Sequence, residues 1–319
     1  MRKRLLILAL ATLALAAALA TAARASEPPP GAALIATYAI PNTGSVTAGF
    51  GALWVGDGFD NAVQKVDPGT GAILATIPVG NGAFGVLRTG EGAVWIANAG
   101  DNTVSKIDPA ANAVVATIDV GLLPEGIAIT PGAVWVANHH SESVSKIDPT
   151  TNTVVDTILV GDPSLFSSGP AFIGTAAGSV WVDVPNLDAV VRIDASTDQV
   201  VATIPVKGPC GEVLGTASTI WVAGGGCSTG ITRIDTATNA AIGDKINAGG
   251  KTIGLASGFG SVWFTTLLTS FLVQADPATG AIDSQLKLGP KFSAFGVAAG
   301  FGDLWVADGS GSLLRIQPT

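Results

Sequence analysis

The sequence predicts an all-β fold, a seven-bladed β-propeller of four-stranded antiparallel blades, on three observations. Tryptophan recurs seven times, at Trp54, Trp95, Trp135, Trp181, Trp221, Trp263 and Trp305, with spacings of 41, 40, 46, 40, 42 and 42 residues, and there is no eighth. A period near 40 residues marks a repeat whose unit is one blade. Each unit also divides into short runs rich in β-branched residues. Finally, the two ends complement each other, since the last unit is one strand short and the first strand-like run belongs to no unit.

Taken in chain order, the first segment is a leader. Met1-Arg2-Lys3-Arg4, the uncharged run Leu5 to Ala23 and the site Ala23-Arg24-Ala25 match the charged, apolar and small-residue regions of a secretory signal peptide cleaved after Ala25. Residues 26–319 are then one exported domain, periplasmic or extracellular, with no integral membrane segment after cleavage and an expected monomeric state. The leader holds four of the 16 basic residues, so 12 Lys+Arg face 24 Asp+Glu in the mature chain, a formal charge of −12. That balance opposes binding to nucleic acid or to anionic membrane. Plentiful Val, Ile, Leu and Trp oppose disorder.

The next run, residues 33–41 (ALIATYAIP), has the pattern of the fourth strand VVATIPV (Val200 to Val206). It is expected to complete the seventh blade beside Phe295 to Ala299, Asp303 to Asp308 and Ser312 to Gln317. Such closure removes exposed sheet edges. Within a full unit, the second for example, the strands read Gly85 to Arg88, Gly92 to Asn98, Thr103 to Asp108 and Ala113 to Val120. A five-residue turn joins the third and fourth runs at residues 67–71, 108–112, 148–152, 194–198, 235–239 and 276–280. Its leading Asp accepts backbone N–H groups, and its closing Gly, Asn or Asp tolerates the left-handed conformation of a bulged hairpin.

The segment Val134 to Gly161 (VWVANHHSESVSKIDPTTNTVVDTILVG) resembles the repeat of YVTN-type β-propeller proteins, in the broader group with streptogramin-lyase-like and NHL-like propellers. The likeness covers essentially the whole mature chain. It implies the fold, and it leaves activity open because members of the group do unrelated things.

Residues that recur in every blade are explained by the blade. Each tryptophan lies mid-strand in an apolar alternation and buries roughly 150–250 Å², worth about 4–6 kcal/mol at about 25 cal/mol per Å². Lys65, Lys106, Lys146, Arg192, Arg233 and Arg315 share one third-strand position, with Gln274 in the remaining blade. They are read as blade-surface charges, solvated or paired with a neighbouring blade.

Functional candidates are drawn from the top face, where fourth-to-first and second-to-third strand connections gather. Asp57, Asn98, Asn138 and Asp308, each three residues after a tryptophan, are expected to ring the channel mouth, with Val184, Gly224 and Thr266 at the same position of the other blades and Glu125 and Glu212 at the starts of inner strands. An oxygen ring of this kind suits calcium or magnesium, with Asp57, Glu125, Glu212 and Asp308 as the carboxylate candidates. In outline it resembles the metal sites of lactonase-type propellers. The two histidines, His139 and His140, are adjacent in one loop, whereas a streptogramin-lyase-like elimination needs a base, an acid and a divalent ion, drawn in such enzymes from separated blades. The long spacing before Trp181 places an insertion at Gly161 to Gly174, carrying Phe166 and Phe172. Lys207, Lys251 and Lys291 lie in fourth-to-first connections of blades five to seven and favour an anionic group. Cys210 and Cys227 face each other across a hairpin and are expected to form a disulfide, worth up to about 3 kcal/mol.

No G-x-S-x-G elbow at a strand-to-helix turn, no phosphate loop and no helix follows the leader. The sequence therefore points to an exported scaffold that binds a protein, glycan or small ligand on its top face without catalysis. A metal-assisted lyase or lactonase is the alternative.

Overall fold

Seven four-stranded antiparallel sheets form a closed ring in the computed structural model, which describes residues 31–83, 85–164, 169–289 and 294–319. The expected leader, residues 1–25, lies outside these residues. Among the described residues no helix is long and apolar enough to cross a membrane, and the helical content is two single 3₁₀ turns, His139–Ser141 and Pro185–Leu187.

Blade 3 shows how the repeat makes a blade. Its strands are Pro124–Thr130, Ala133–Asn138, Ser143–Asp148 and Thr153–Leu159, from channel to rim. The second strand, AVWVAN, is buried at all six residues, because each of its faces meets another sheet. Trp135 packs with Ile173, Val180 and Val182 of blade 4, whereas Val134 and Val136 pack with Trp95 of blade 2. Alternation along one strand thus welds three consecutive blades. All seven tryptophans are buried. Six indoles also donate their N–H five residues back along the chain, as Trp54 Nε1 does to Gly49 O at 3.0 Å and Trp135 Nε1 to Thr130 Oγ1 at 2.8 Å.

The third-strand cations are blade-to-blade clasps rather than solvated charges. Lys106 Nζ lies 5.2 Å from the Trp95 ring centroid and donates to Pro149 O and Asn152 Oδ1 in the turn of the following blade. Lys65 reaches Pro109 and Asn112, Lys146 reaches Asp198, Arg192 reaches Thr236 and Asn239, and Arg233 reaches Ala278, each over its own tryptophan. Each clasp combines a cation–π contact with charge-assisted hydrogen bonds.

The turns that receive these clasps follow the sequence rule. Asp67 Oδ1 accepts from Gly69 N and Thr70 N, Asp108 Oδ1 from Ala110 N and Ala111 N, and the other four aspartates do likewise. The hydroxyls of Thr70 and Ser196 foremost at Asp67 and Asp194, and these backbone donors foremost at the other four, hold all six carboxyls below the usual carboxylate range. The closing residue is left-handed each time, from Asn112 at φ 52° to Gly280 at φ 77°.

The ring closes as the sequence predicts. The strand Ala32–Ala39 pairs antiparallel with Ser312–Pro318, from Ala32 opposite Pro318 to Ala39 opposite Ser312, so one chain end completes the blade begun by the other. At this seam the clasp changes. Arg315 pairs with Asp303 of its own blade at 2.7 Å, and Tyr38 donates to Gly69 O of blade 1. One element departs from expectation. The inner strand of blade 2 is Arg88–Gly90 instead of starting at Gly85, because Val86 N leaves its own sheet and donates to Glu125 O of blade 3 at 2.9 Å.

Candidate functional site

Asp57, Asn98, Asn138 and Asp308 end the second strands of their blades but are buried there, none more than 2% exposed. Their polar atoms serve the adjoining loops. Asp57 Oδ1 accepts from Asp60 N, and Asn98 Nδ2 donates to Thr103 and Ser105. Asn138 spans Gly121 N, Ser143 and Ser145, and Asp308 takes Ser310. With Glu212 held by an arginine, as described next, Asp57, Glu125, Glu212 and Asp308 do not come together as a ligand set for calcium or magnesium. Among the described residues no three His, Cys, Asp or Glu side chains converge on one point.

The channel itself is where the repeat is broken. Nine residues before each tryptophan stand Ser45, Val86, Gly126, Phe172, Glu212, Gly254 and Gly296. Seven before it stand Thr47, Arg88, Ala128, Gly174, Leu214, Ala256 and Ala298. Each layer has one charged residue, and the two charges meet. Arg88 Nη2 donates to Glu212 Oε1 at 2.6 Å, and Leu255 N of blade 6 donates to Glu212 Oε2 at 2.7 Å. Arg88 belongs to blade 2 and Glu212 to blade 5, which are not neighbours, so the pair spans the central channel. Above it lies a cavity of about 130 Å³ lined by residues of six blades, Ser45, Val86, Phe172, Glu212, Ile253 and Val297 among them. A second cavity of about 240 Å³, bordered by Arg88, Ala128, Gly174 and Leu214, lies on the other side.

A further acidic group sits in the second strand of blade 4. Two residues after each tryptophan come Gly56, Ala97, Ala137, Asp183, Ala223, Thr265 and Ala307, so Asp183 is a carboxylate where the other blades use small residues or threonine. Sequence reasoning passed over Asp183 and Arg88, although this comparison between blades marks both. Asp183 is wholly buried, and its Oδ1 accepts from Ala171 N at 3.0 Å and Phe172 N at 2.5 Å. Thr265 does the same for Gly254 N in blade 6, so in both blades the position caps amides of the chain that leads through the inner strand. Among the described residues Asp183 Oδ2 has no partner. Burial pushes the Asp183 carboxyl well above the usual range, and the charge of nearby Glu125 adds to this. Glu125 is raised too, by its own burial against the opposing pull of His140.

His139 and His140 lie on the 3₁₀ turn that leaves the second strand of blade 3, with ring centroids 5.2 Å apart. Burial and the neighbouring His140 charge hold His139 below the usual imidazole value. Beside them Glu142, buried at φ 51°, accepts from Asn186 of blade 4 at 3.1 Å. The insertion is described at Gly161 to Ser164 and from Gly169 onward. Phe172 lines the upper cavity, and Phe166 lies outside the described residues, as does Lys291.

On the far side of the mouth, Cys210 and Cys227 form the expected disulfide, with Cα atoms 5.8 Å apart. Lysines secure its loop. Lys251 donates to Gly226 O, and Lys245 donates to Lys207 O and Ser228 Oγ. Burial, with the Lys207 charge next in size, lowers the Lys245 ammonium. Lys207 itself is exposed.

Comparison with solved structures places the fold. The chain superposes on virginiamycin B lyase from Staphylococcus aureus with a TM-score of 0.74 at 16% identity, over 90% of this chain and 99% of that one. It also matches a chain of Kuenenia stuttgartiensis hydrazine synthase, at 0.72 and 16% identity over 86% of this chain and 96% of the other. A chain of the mitotic checkpoint complex matches at 0.75 and 10% identity, over 92% and 94%. These likenesses show a propeller shared by proteins of unrelated activity. No family model and no curated protein matches the chain. The likeness thus extends to streptogramin B lyases in fold, without membership of the YVTN-type group being shown.

Proposed function

We infer that the protein is an exported binding propeller that takes a small ligand into the top of its central channel. One observation carries this reading. The two charged residues of the inner channel layers, Arg88 and Glu212, meet at one cavity, and Glu125 and Asp183 bond to two residues of its wall. Arg88 and Glu212 line it, Glu125 O holds Val86 of its wall, and Asp183 holds Phe172. Charge concentrated in a concave, otherwise apolar enclosure is the arrangement of a ligand site. The disulfide and the leader-like segment support export. Lys207 and Lys251, with Lys291 by its place in the sequence, are a further candidate contact for an anionic group.

The test is a thermal-shift screen of free amino acids, small carboxylates, amines, saccharides and short peptides. A ligand present at about 100 times its Kd adds about 2.7 kcal/mol, a rise of several degrees for a chain of this size. Loss of the shift in Phe172→Ala or Glu212→Gln places the ligand in the channel. A hit unaffected by both sets this reading aside in favour of a rim or side surface.

A second reading, a lyase or lactonase, rests on Glu125. Its raised carboxyl beside His140 has the make-up of an acid–base pair, and streptogramin B lyases share the fold. If that activity is metal-assisted, chelation lowers the melting temperature and calcium or magnesium restores it. An unchanged melting temperature removes the metal-assisted form.

A further inference from the structure

We propose that the Arg88–Glu212 pair is a recognition element for a compact zwitterion, a small α-amino acid, whose carboxylate docks on Arg88 and whose ammonium docks on Glu212. This rests on the channel-binding reading above and names the ligand class.

Blade-to-blade cohesion is already supplied by the tryptophans and clasps, and five of the seven blades place an uncharged residue in both channel layers. The pair is therefore no part of the repeat. It closes the floor of a cavity whose other walls are apolar or weakly polar, with Val46, Val86, Ile253 and Val297 around Phe172 and Ser45. The Ser45 hydroxyl is directed to Gly85 O at 3.1 Å. The polar recognition in this cavity thus comes from one cation and one anion side by side.

Charge then selects the ligand. An arginine carries five N–H donors. Arg88 directs Nη1 to Leu87 O and Nη2 to Glu212, and a guanidinium that holds one carboxylate on one edge takes a second on another. A simple anion docked there stands next to the Glu212 carboxylate, and a simple cation docked on Glu212 stands next to Arg88. Each half-ligand meets a like charge in a partly desolvated site, where such repulsion is poorly screened. A zwitterion laid along the pair gives each charge an opposite neighbour and leaves the Arg88–Glu212 bond intact.

Size narrows the class further. At about 130 Å³ the cavity lies below the roughly 300–1,000 Å³ of pockets that take drug-sized ligands, which suits a compact molecule such as glycine, alanine or serine. Phe172 and the valines form the surface against which a short aliphatic side chain is desolvated.

The experiment is isothermal titration of the purified protein at pH 7 and low salt with glycine, L-alanine and L-serine, against acetate and ethylammonium as the two half-ligands. The expected result is saturable binding of at least one amino acid, with both half-ligands weaker by about tenfold or more. Arg88→Met and Glu212→Gln are each expected to abolish it. Absence of binding by all three amino acids up to about 10 mM overturns the proposal, as does acetate binding equal to that of alanine. Both of those outcomes are read on the unaltered protein and do not depend on the variants folding. A saccharide or peptide that binds in a Phe172-dependent manner while the amino acids fail overturns this proposal and leaves the channel-binding reading standing.

Discussion

Asp183 is the residue most at odds with its surroundings. Its carboxyl is wholly buried, capped on one oxygen, unpartnered among the described residues on the other, and shifted upward by burial and then by Glu125. The sign of its pH effect follows. A carboxyl whose folded pKa is raised favours folding while protonated, and this contribution fades as pH rises from the unfolded value through the folded one. The groups facing it are Glu125 on blade 3 and the amides of Ala171 and Phe172, with His140 acting on Glu125. Asp183→Asn is expected to flatten the decline in melting temperature as pH rises above the unfolded carboxyl value of 3.8, and a decline as steep as in the parent protein counts against protonated Asp183. Glu212→Gln is expected to destabilise by about 1–3 kcal/mol by leaving Arg88 unpaired. Arg88→Met combined with it is expected to recover part of that loss, as a double-mutant cycle reads. The ring of Asp57, Asn98, Asn138 and Asp308 was legible as a recurring position, but its burial was not, because a polar residue at a strand end reads alike whether it faces solvent or caps a loop. Pairing of Arg88 with a residue 124 positions away is invisible to any local pattern.

Individual strands and turns were the most legible part, because period-2 alternation, tryptophan and the Asp-led turn each specify a local geometry that the ring does not override. The third-strand cations show what local reading lacks. Their position was evident, but their partners lie about 45 residues on, where only the stacking of blades brings them. Lys106→Met is expected to cost about 1–2 kcal/mol through loss of its cation–π and charge-assisted bonds, as denaturant unfolding measures. Gln274→Met, at the blade without a cation, lacks that clasp and is expected to cost less. The Asp-led turns add a pH effect of opposite sign to that of Asp183. Their carboxyls are depressed, so their support is present above the unfolded value of 3.8 and is lost as pH falls below it. Acid unfolding below about pH 4 is expected to be delayed when two of these aspartates are replaced by Asn, which caps without a charge to protonate.

At the scale of the whole molecule, stability depends on closure. Removal of residues 26–39 leaves the third strand of blade 7, Ser312–Pro318, as an open edge, and self-association detectable by light scattering is expected. Addition of a peptide spanning Ala32–Ala39 is expected to suppress it, and a truncated protein that stays monomeric argues against a closure role. Reduction of the Cys210–Cys227 bond, which closes a loop of 17 residues, is expected to remove up to about 3 kcal/mol. The seam also sets a timetable. The strand Ala32–Ala39 is made early, yet its partner begins at Ser312, about 270 residues later. At synthesis rates of 5–20 residues per second the first strand waits roughly 15–55 s for its place. Blade 7 cannot be completed before Ser312–Pro318 is made, so any factor that shields a nascent chain has the N-terminal strand, not the C-terminal one, as the segment in longest need of protection.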